Sequence, residues 1–238
     1  MLTQAMKDKE KPLEYDYDCM RKAAECHRQV RKYAQSFIRP GLKLTKIVTD
    51  IENAVRRLIK ANKAEAGVAF PCGCSINSCA AHFTPNPGDE KILQKGDVVK
   101  IDIGTHFKGL LIDSAFTVAF DPMFDNLLLA SKEATNTGVR EAGIDARLDE
   151  IGERIQETME SHEVEIKGKT YKVRCVKNLQ GHQVGRYHVR SLSRNPSIDP
   201  RWKMCAHSQR RSSTKNGRRR SLRNRNLRLN WQRCSDGR

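Results

Sequence analysis

The stretch that most constrains the fold is Lys100–Phe120, KIDIGTHFKGLLIDSAFTVAF. Apolar positions alternate with small or polar ones on both sides of His106-Phe107-Lys108-Gly109. With frequent β-branched and aromatic residues, that pattern predicts two strands joined by a very short turn. Loop length decides where two aspartates fall. If Phe107-Lys108 forms the loop, Asp102 lies directly across from Asp113; if Lys108-Gly109 forms it, they become diagonal neighbours on one face. Only an odd-length loop separates them, because the side-chain period of a strand is two. Like charges placed this way repel. Two aspartates inside apolar strands therefore point to a divalent cation between them. In the plainer alternative one Asp faces solvent and the other caps a turn.

Charge divides the chain. Residues 190–238 carry a net charge of +13, and residues 1–189 only +3. Both tryptophans, Trp202 and Trp231, lie in the basic segment, which contains no Glu. The body is thus an ordinary, nearly neutral globular sequence. Cys72, Cys74 and Cys79 cluster, but their spacing lacks the second paired knuckle of a structural zinc site. Met1–Leu13 is charged and has no apolar core, so no signal peptide is expected. No run of apolar residues is long enough to span a membrane. Reduced cysteines in an intracellular protein are the expectation.

In chain order, residues 1–16 read as a loose polar arm. Tyr17–Phe37 is predicted helical, with Ala23, Ala24, His27, Val30, Tyr33 and Ala34 as its apolar stripe. His27 reads as structural. Thr45 can cap a second helix through about Ala61, burying Ile47, Ile51, Val55, Leu58 and Ile59. Phe70–Pro87 has little periodicity and reads as a surface loop or an irregular pocket wall. Within it His82 stands beside Phe83; a lone His there is ordinarily a packed histidine. Asp121-Pro122 opens a third helix toward Gly138. Asp145 can cap a fourth, with Leu148, Ile151, Ile155 and Met159 on one face. Val164–Val173 predicts a second hairpin turning at Gly168. Gly181 and Gly185 then flank His182, allowing close backbone approach. The layout is α+β with a hint of internal duplication.

Asp102, Asp113 and His182 combine carboxylates with an imidazole, a mixture suited to Mn, Fe, Co or Zn. Two bridging carboxylates would hold two such cations about 3.5 Å apart, as in aminopeptidase chemistry. The segments HRQVRKY, AFPCGCSINSCAAHFTPN, KIDIGTHFKGLLIDSAFTV, ATNTGVREAGIDARLDEIGERIQETMESHEVEIKGKTY and NLQGHQVGRY closely resemble type 2 methionine aminopeptidases. The resemblance covers roughly Tyr17–Tyr187. It implies a pita-bread fold, two pseudo-symmetric α/β halves with the site between them. It also implies two divalent metal cations, a monomer in the cytoplasm near the ribosome, and removal of the initiator methionine from nascent chains whose second residue is small. By that likeness Asp102, Asp113 (bridging) and His182 are metal ligands, and His82 is the pocket histidine that touches substrate near the scissile bond.

The likeness breaks after Tyr187. The family has two further metal-binding glutamates, and this chain has no Glu after Glu165. A second pocket histidine is also out of register. Asn216–Ser221, NGRRRS, can be encoded as AAT GGA AGA AGG AGA AGT. Read one nucleotide later, that is M-E-E-G-E-V, which is what the family carries there. Asp199–Arg211 likewise permits I-H-A-G-K-C-V-P-I-V-K-G. A frame error, or a retained intron near Val189-Arg190, is therefore expected to give residues 188–238 as an out-of-frame, disordered tail. The pita-bread would then be incomplete, its second half missing, and the chain a truncated form without turnover. Rival readings are a non-catalytic pita-bread protein that associates with RNA or ribosomes, and non-specific nucleic-acid contact through the basic tail.

Overall fold

A computed structural model describes residues 16–62, 65–143, 146–176, 179 and 181–191. The expected arm, apart from Asp16, the cap at Asp145 and the tail past Ser191 lie outside the described residues. Helix α1 spans Tyr17–Phe37, as its periodicity predicts, and Asp16 caps it by accepting from the Asp18 and Cys19 amides. Its buried face is Cys19, Ala23, Cys26, His27, Val30 and Ala34. Ala24 and Tyr33, expected on that face, are instead partly buried and exposed. Two cysteines replace them, packing as small apolar side chains.

Helix α2 spans Leu44–Leu58, starting before Thr45 and ending three residues earlier than expected. Thr45 does not cap it; its hydroxyl donates to the Asp89 carbonyl at 3.4 Å. The Leu44 amide is satisfied from outside, by the Lys91 carbonyl at 2.9 Å. Leu58, expected inside, is 47% exposed, because the stripe runs through Leu44, Ile47, Val48, Ile51 and Val55 and ends at Ile59.

Four antiparallel strands form the main sheet: β1 (Ala66–Val68), β2 (Gly73–Ile76), β3 (Val98–Phe107) and β4 (Leu110–Ala119). Strand β3 is central. One edge pairs with β4 over its whole length, and the other takes β2 and β1 in tandem. The odd-numbered side of β3 meets the helices. There Ile101 and Ile103 join the core with Ile47 and Ile51, and the Thr105 hydroxyl donates to the Ala23 carbonyl at 2.9 Å. His27 is structural as expected: buried, its Nε2–H donates to the Ile103 carbonyl at 3.1 Å. Nearly every residue of β3 is buried, so its even-numbered side is covered as well.

The motif then repeats. A 3-10 turn, Pro122–Phe124, is capped by Asp121 and leads into α3 (Asp125–Glu141). Helix α4 (Leu148–Glu160) and the hairpin β5 (Glu163–Ile166)–β6 (Lys169–Lys172) follow. Leu127, Ala130, Ile155, Met159 and Val164 make a second core. A third hairpin, β7 (His182–Gly185)–β8 (His188–Ser191), crosses the boundary expected after Tyr187. Cys19, Cys26, Cys72, Cys74 and Cys79 are free thiols, whereas Cys175 is disulfide-bonded, against expectation. Among the described residues no helix is long and apolar enough to cross a membrane.

Two outcomes follow from this packing. Ile51→Ala should cost ~2–5 kcal/mol in urea unfolding, whereas Leu58→Ala should stay within about 0.5 kcal/mol. Burial holds His27 below its ordinary value of 6.5, so the unfolded chain binds the extra proton first. The stability it contributes is present above 6.5 and is lost as pH falls from there through the folded value. Urea midpoints should therefore fall on acidification below 6.5, and less steeply in His27→Gln.

Candidate metal centre

Lys108 and Gly109 form the loop of the β3–β4 hairpin, with φ of 48° and 75°. Positive φ at both positions is the type I′ geometry that matches the twist of the strands. Phe107 therefore pairs with Leu110, Gly104 with Asp113, and Asp102 with Ala115. The direct Asp102–Asp113 opposition is excluded, and the diagonal arrangement on one face is the one formed. Diagonal cross-strand positions lie roughly 7–8 Å apart at Cα, which softens the repulsion without removing it.

Two glycines let other groups approach this face. Gly73 pairs with Asp102, and a Cβ there would lie 2.9 Å from the Asp102 Cβ. The Phe70 ring fills the space where Gly104 lacks a side chain, 2.3 Å from an ideal Cβ. Phe70 thus lays an apolar wall over the cross-strand neighbour of Asp113. Lys100 and His106 continue the same face, and both are buried. Burial pushes the Lys100 ammonium down to about 8 and His106 below its ordinary value. Phe70, Lys100 and His106 are functional candidates that emerge with the fold. For the last two the signal was available, since Lys100, Asp102, Gly104 and His106 follow the strand period of two.

His182 arrives on β7. The Arg186-Tyr187 turn beyond it clasps the β3–β4 turn. The Tyr187 amide donates to the Gly109 carbonyl at 2.8 Å, and an Arg186 guanidinium N–H donates to the Lys108 carbonyl at 2.7 Å. The Tyr187 ring lies against Gly109, 2.3 Å from the position of an ideal Cβ. So anchored, His182 places Nε2 3.4 Å from Asp113 Oδ2, with side chains 0% and 5% exposed. Asp102, 8% exposed, stands diagonal to Asp113 on the same face.

His82 is at the rim. It is exposed and has a φ of +64°, a left-handed conformation costing about 1–3 kcal/mol for a residue with a Cβ. The following residue folds back along β2: the Phe83 carbonyl accepts from the Cys74 amide at 2.7 Å, and its amide donates to Ser75 Oγ at 3.3 Å. His82 therefore stands on a segment along the outer edge of β2, with that strand between it and β3, which carries Asp102. Cys72 and Cys74 behave as buried thiols; burial pushes Cys74 up to about 12.

The donor set of two carboxylates and an imidazole fits a divalent first-row cation in its chemistry. Its assembly is partial. Among the described residues no group of three or more His, Cys, Asp or Glu side chains is gathered closely enough to hold an ion.

Comparison with known proteins gives this geometry a context. Residues 18–218 match the model of metallopeptidase family M24, extending past Tyr187. The chain is 53% identical over 182 residues to methionine aminopeptidase 2A of Arabidopsis thaliana, covering 76% of this chain and 41% of that one. It is 58% identical over 173 residues to methionine aminopeptidase 2 of Dictyostelium discoideum, covering 73% and 40%. It thus spans about two fifths of the length of these curated relatives. Among solved structures, a methionine aminopeptidase from Thermotoga maritima has a TM-score of 0.58 at 22% identity, covering 74% of this chain and 69% of that one. A prolidase from Pyrococcus furiosus has a TM-score of 0.51 at 18% identity, covering 68% and 53%. At these identities the structural likeness is one of fold, and the fold is the pita-bread of these enzymes.

The clasp yields a prediction. Gly109→Ala puts a Cβ at a φ of 75° and into the Tyr187 ring. It should destabilise by more than ~1 kcal/mol, and hydrogen exchange should show β7–β8 losing protection while α1 and α2 keep theirs.

Proposed function

Because this chain belongs to metallopeptidase family M24, we propose that it carries the first part of the catalytic domain of a type 2 methionine aminopeptidase, acting on nascent chains that begin with Met and a small second residue. The observation that carries this reading is the buried Asp113–His182 pair at 3.4 Å, on the face that also bears Asp102. In this reading Asp102 and Asp113 hold divalent cations through their carboxylates and His182 through Nε2. The complete enzyme would hold two ions of Co, Mn, Fe or Zn, and Asp102, Asp113 and His182 supply part of that set. A cation bound there supplies Lewis-acid polarisation of the scissile carbonyl.

The remaining roles belong to side chains. The His82 imidazole, at the exposed rim, can hydrogen-bond the scissile amide or carry a proton to or from it. Phe70 offers an apolar surface beside the carboxylates, suited to a methionine side chain. Working as a monomer in the cytoplasm close to ribosomes fits a substrate met as it emerges. The +13 charge of residues 190–238 adds salt-sensitive, non-specific contact with nucleic acid.

The chain as written lacks any Glu beyond Glu165 to complete a two-ion site. It should bind Mn2+ weakly, at one ion per chain, and should not hydrolyse a Met-Gly peptide. Titration calorimetry with Mn2+ tests the ligands: Asp113→Asn and His182→Ala should each weaken binding by at least about tenfold. Affinity unchanged from that of the unaltered chain in both variants would sink the assignment. Turnover by the unaltered chain would sink the inactive-form reading. Sequencing the transcript across codons 185–200 tests the frame; a restored frame should give a chain that releases methionine.

A further inference from the structure

We propose that Lys100 is a positioning residue: its buried ammonium latches the start of the loop that carries His82, tying that loop to the strand that carries Asp102. The proposal rests on the reading of His82 as a site residue, but the latch itself can be measured without turnover.

The Lys100 ammonium is a charge in a costly place. Lys100 is 1% exposed and lies between Ser75 on β2 and Thr117 on β4. Among the described residues no carboxylate pairs with it. Its Nζ donates to one backbone carbonyl, that of Asn77, at 2.8 Å. A buried ammonium without a counter-ion contributes little to stability, and an apolar side chain of similar volume is generally as good or better there. A role in packing alone does not account for a lysine.

The acceptor explains more. Asn77 is the first residue after β2, in a left-handed conformation with a φ of 50°. All four of its polar groups are fixed from β3 and the residue preceding it. Its amide donates to the Val98 carbonyl at 2.9 Å, and its side-chain oxygen accepts from the Val98 amide at 3.0 Å. Its side-chain nitrogen donates to Asp97 Oδ1 at 2.6 Å, and its carbonyl accepts from Lys100. The loop leaves this point, turns through the Cys79 amide to the Ile76 carbonyl at 3.0 Å, and returns to β2 at Phe83. His82 sits immediately before that return. Residues Asp97, Val98 and Lys100 therefore fix where the loop begins, and Asp102 lies two residues further along the same strand. One strand sets both the carboxylate and the histidine.

Alkylation of Cys79, mapped by mass spectrometry on the 238-residue chain, reads the loop directly. Cys79 lies in it, while Cys26 lies in the helical core and serves as internal control. Lys100→Met keeps side-chain length and removes the ammonium. It should leave the thermal midpoint unchanged or raised and speed Cys79 alkylation about tenfold, the factor for one lost charge-assisted hydrogen bond. Cys26 should not change, and Lys100→Arg, which keeps a charged donor, should restore protection of Cys79. Unchanged alkylation in Lys100→Met overturns the latch, and so does a rise that Cys26 shares. Should Lys100→Met not fold, hydrogen exchange of the unaltered chain decides. Residues 77–83 exchanging as slowly as β3 supports the latch; exchange as fast as the exposed turn at 86–91 overturns it. Because neither readout needs turnover or metal, a failed latch leaves the assigned activity untouched, and the reverse also holds.

Discussion

Lys108 and Gly109, the two residues that turn β3 into β4, set the register on which every other feature of the site depends. A one-residue slip would send Asp102 to the helix side, among Ile101 and Ile103 of the core. The turn conformation prevents this, since a two-residue loop with both φ values positive joins strands at one register. The same turn is also a docking point. Its two carbonyls receive Arg186 and Tyr187, so the loop that aligns the aspartates also seats the hairpin bearing His182.

Strand β3 divides two kinds of chemistry. Its odd side packs Ile101 and Ile103 against the helices and gains the ordinary stabilisation of apolar burial, about 2 kcal/mol per large side chain. Its even side buries Lys100, Asp102 and His106. Buried charged groups lose solvation worth several kcal/mol each unless something replaces the water. A strand selected only for stability would not carry that face. The odd side, cross-braced by Thr105 and His27 to α1, offsets the cost and keeps the polar side in place.

Much of this was legible in the sequence because its signals are local and periodic. The β3–β4 hairpin, α1, α3 and the β5–β6 hairpin follow from alternation, helical spacing, Asp121-Pro122 and Gly168. The two loop alternatives were open because Phe107-Lys108 and Lys108-Gly109 differ only in where positive φ falls. What was missed depends on contacts distant in sequence. Helix α2 starts without a side-chain cap because the Lys91 carbonyl, far along the chain, takes the Leu44 amide. Strand β2 hides in a Gly- and Cys-rich stretch because its glycine is demanded by Asp102 on a neighbouring strand. The role of Phe70 rests on where its ring ends, which no periodicity encodes; for Lys100 the strand period gives the face, and only the fold gives the Asn77 carbonyl that its ammonium reaches.

The way His182 is held says what kind of site this is. Its hairpin is fastened at the tip by neutral backbone acceptors and an aromatic ring, at a distance from the carboxylates themselves. The imidazole is therefore placed beside Asp113 by the hairpin that carries it. His82 is placed in the same manner, by backbone pairing of Phe83 along β2. Preplaced donors lose less entropy when a ligand arrives, so more of the interaction is left for binding. Against that, two carboxylates on one face repel whatever their placement. Two carboxylates and an imidazole preplaced on one face thus make a frame that suits a positively charged ligand.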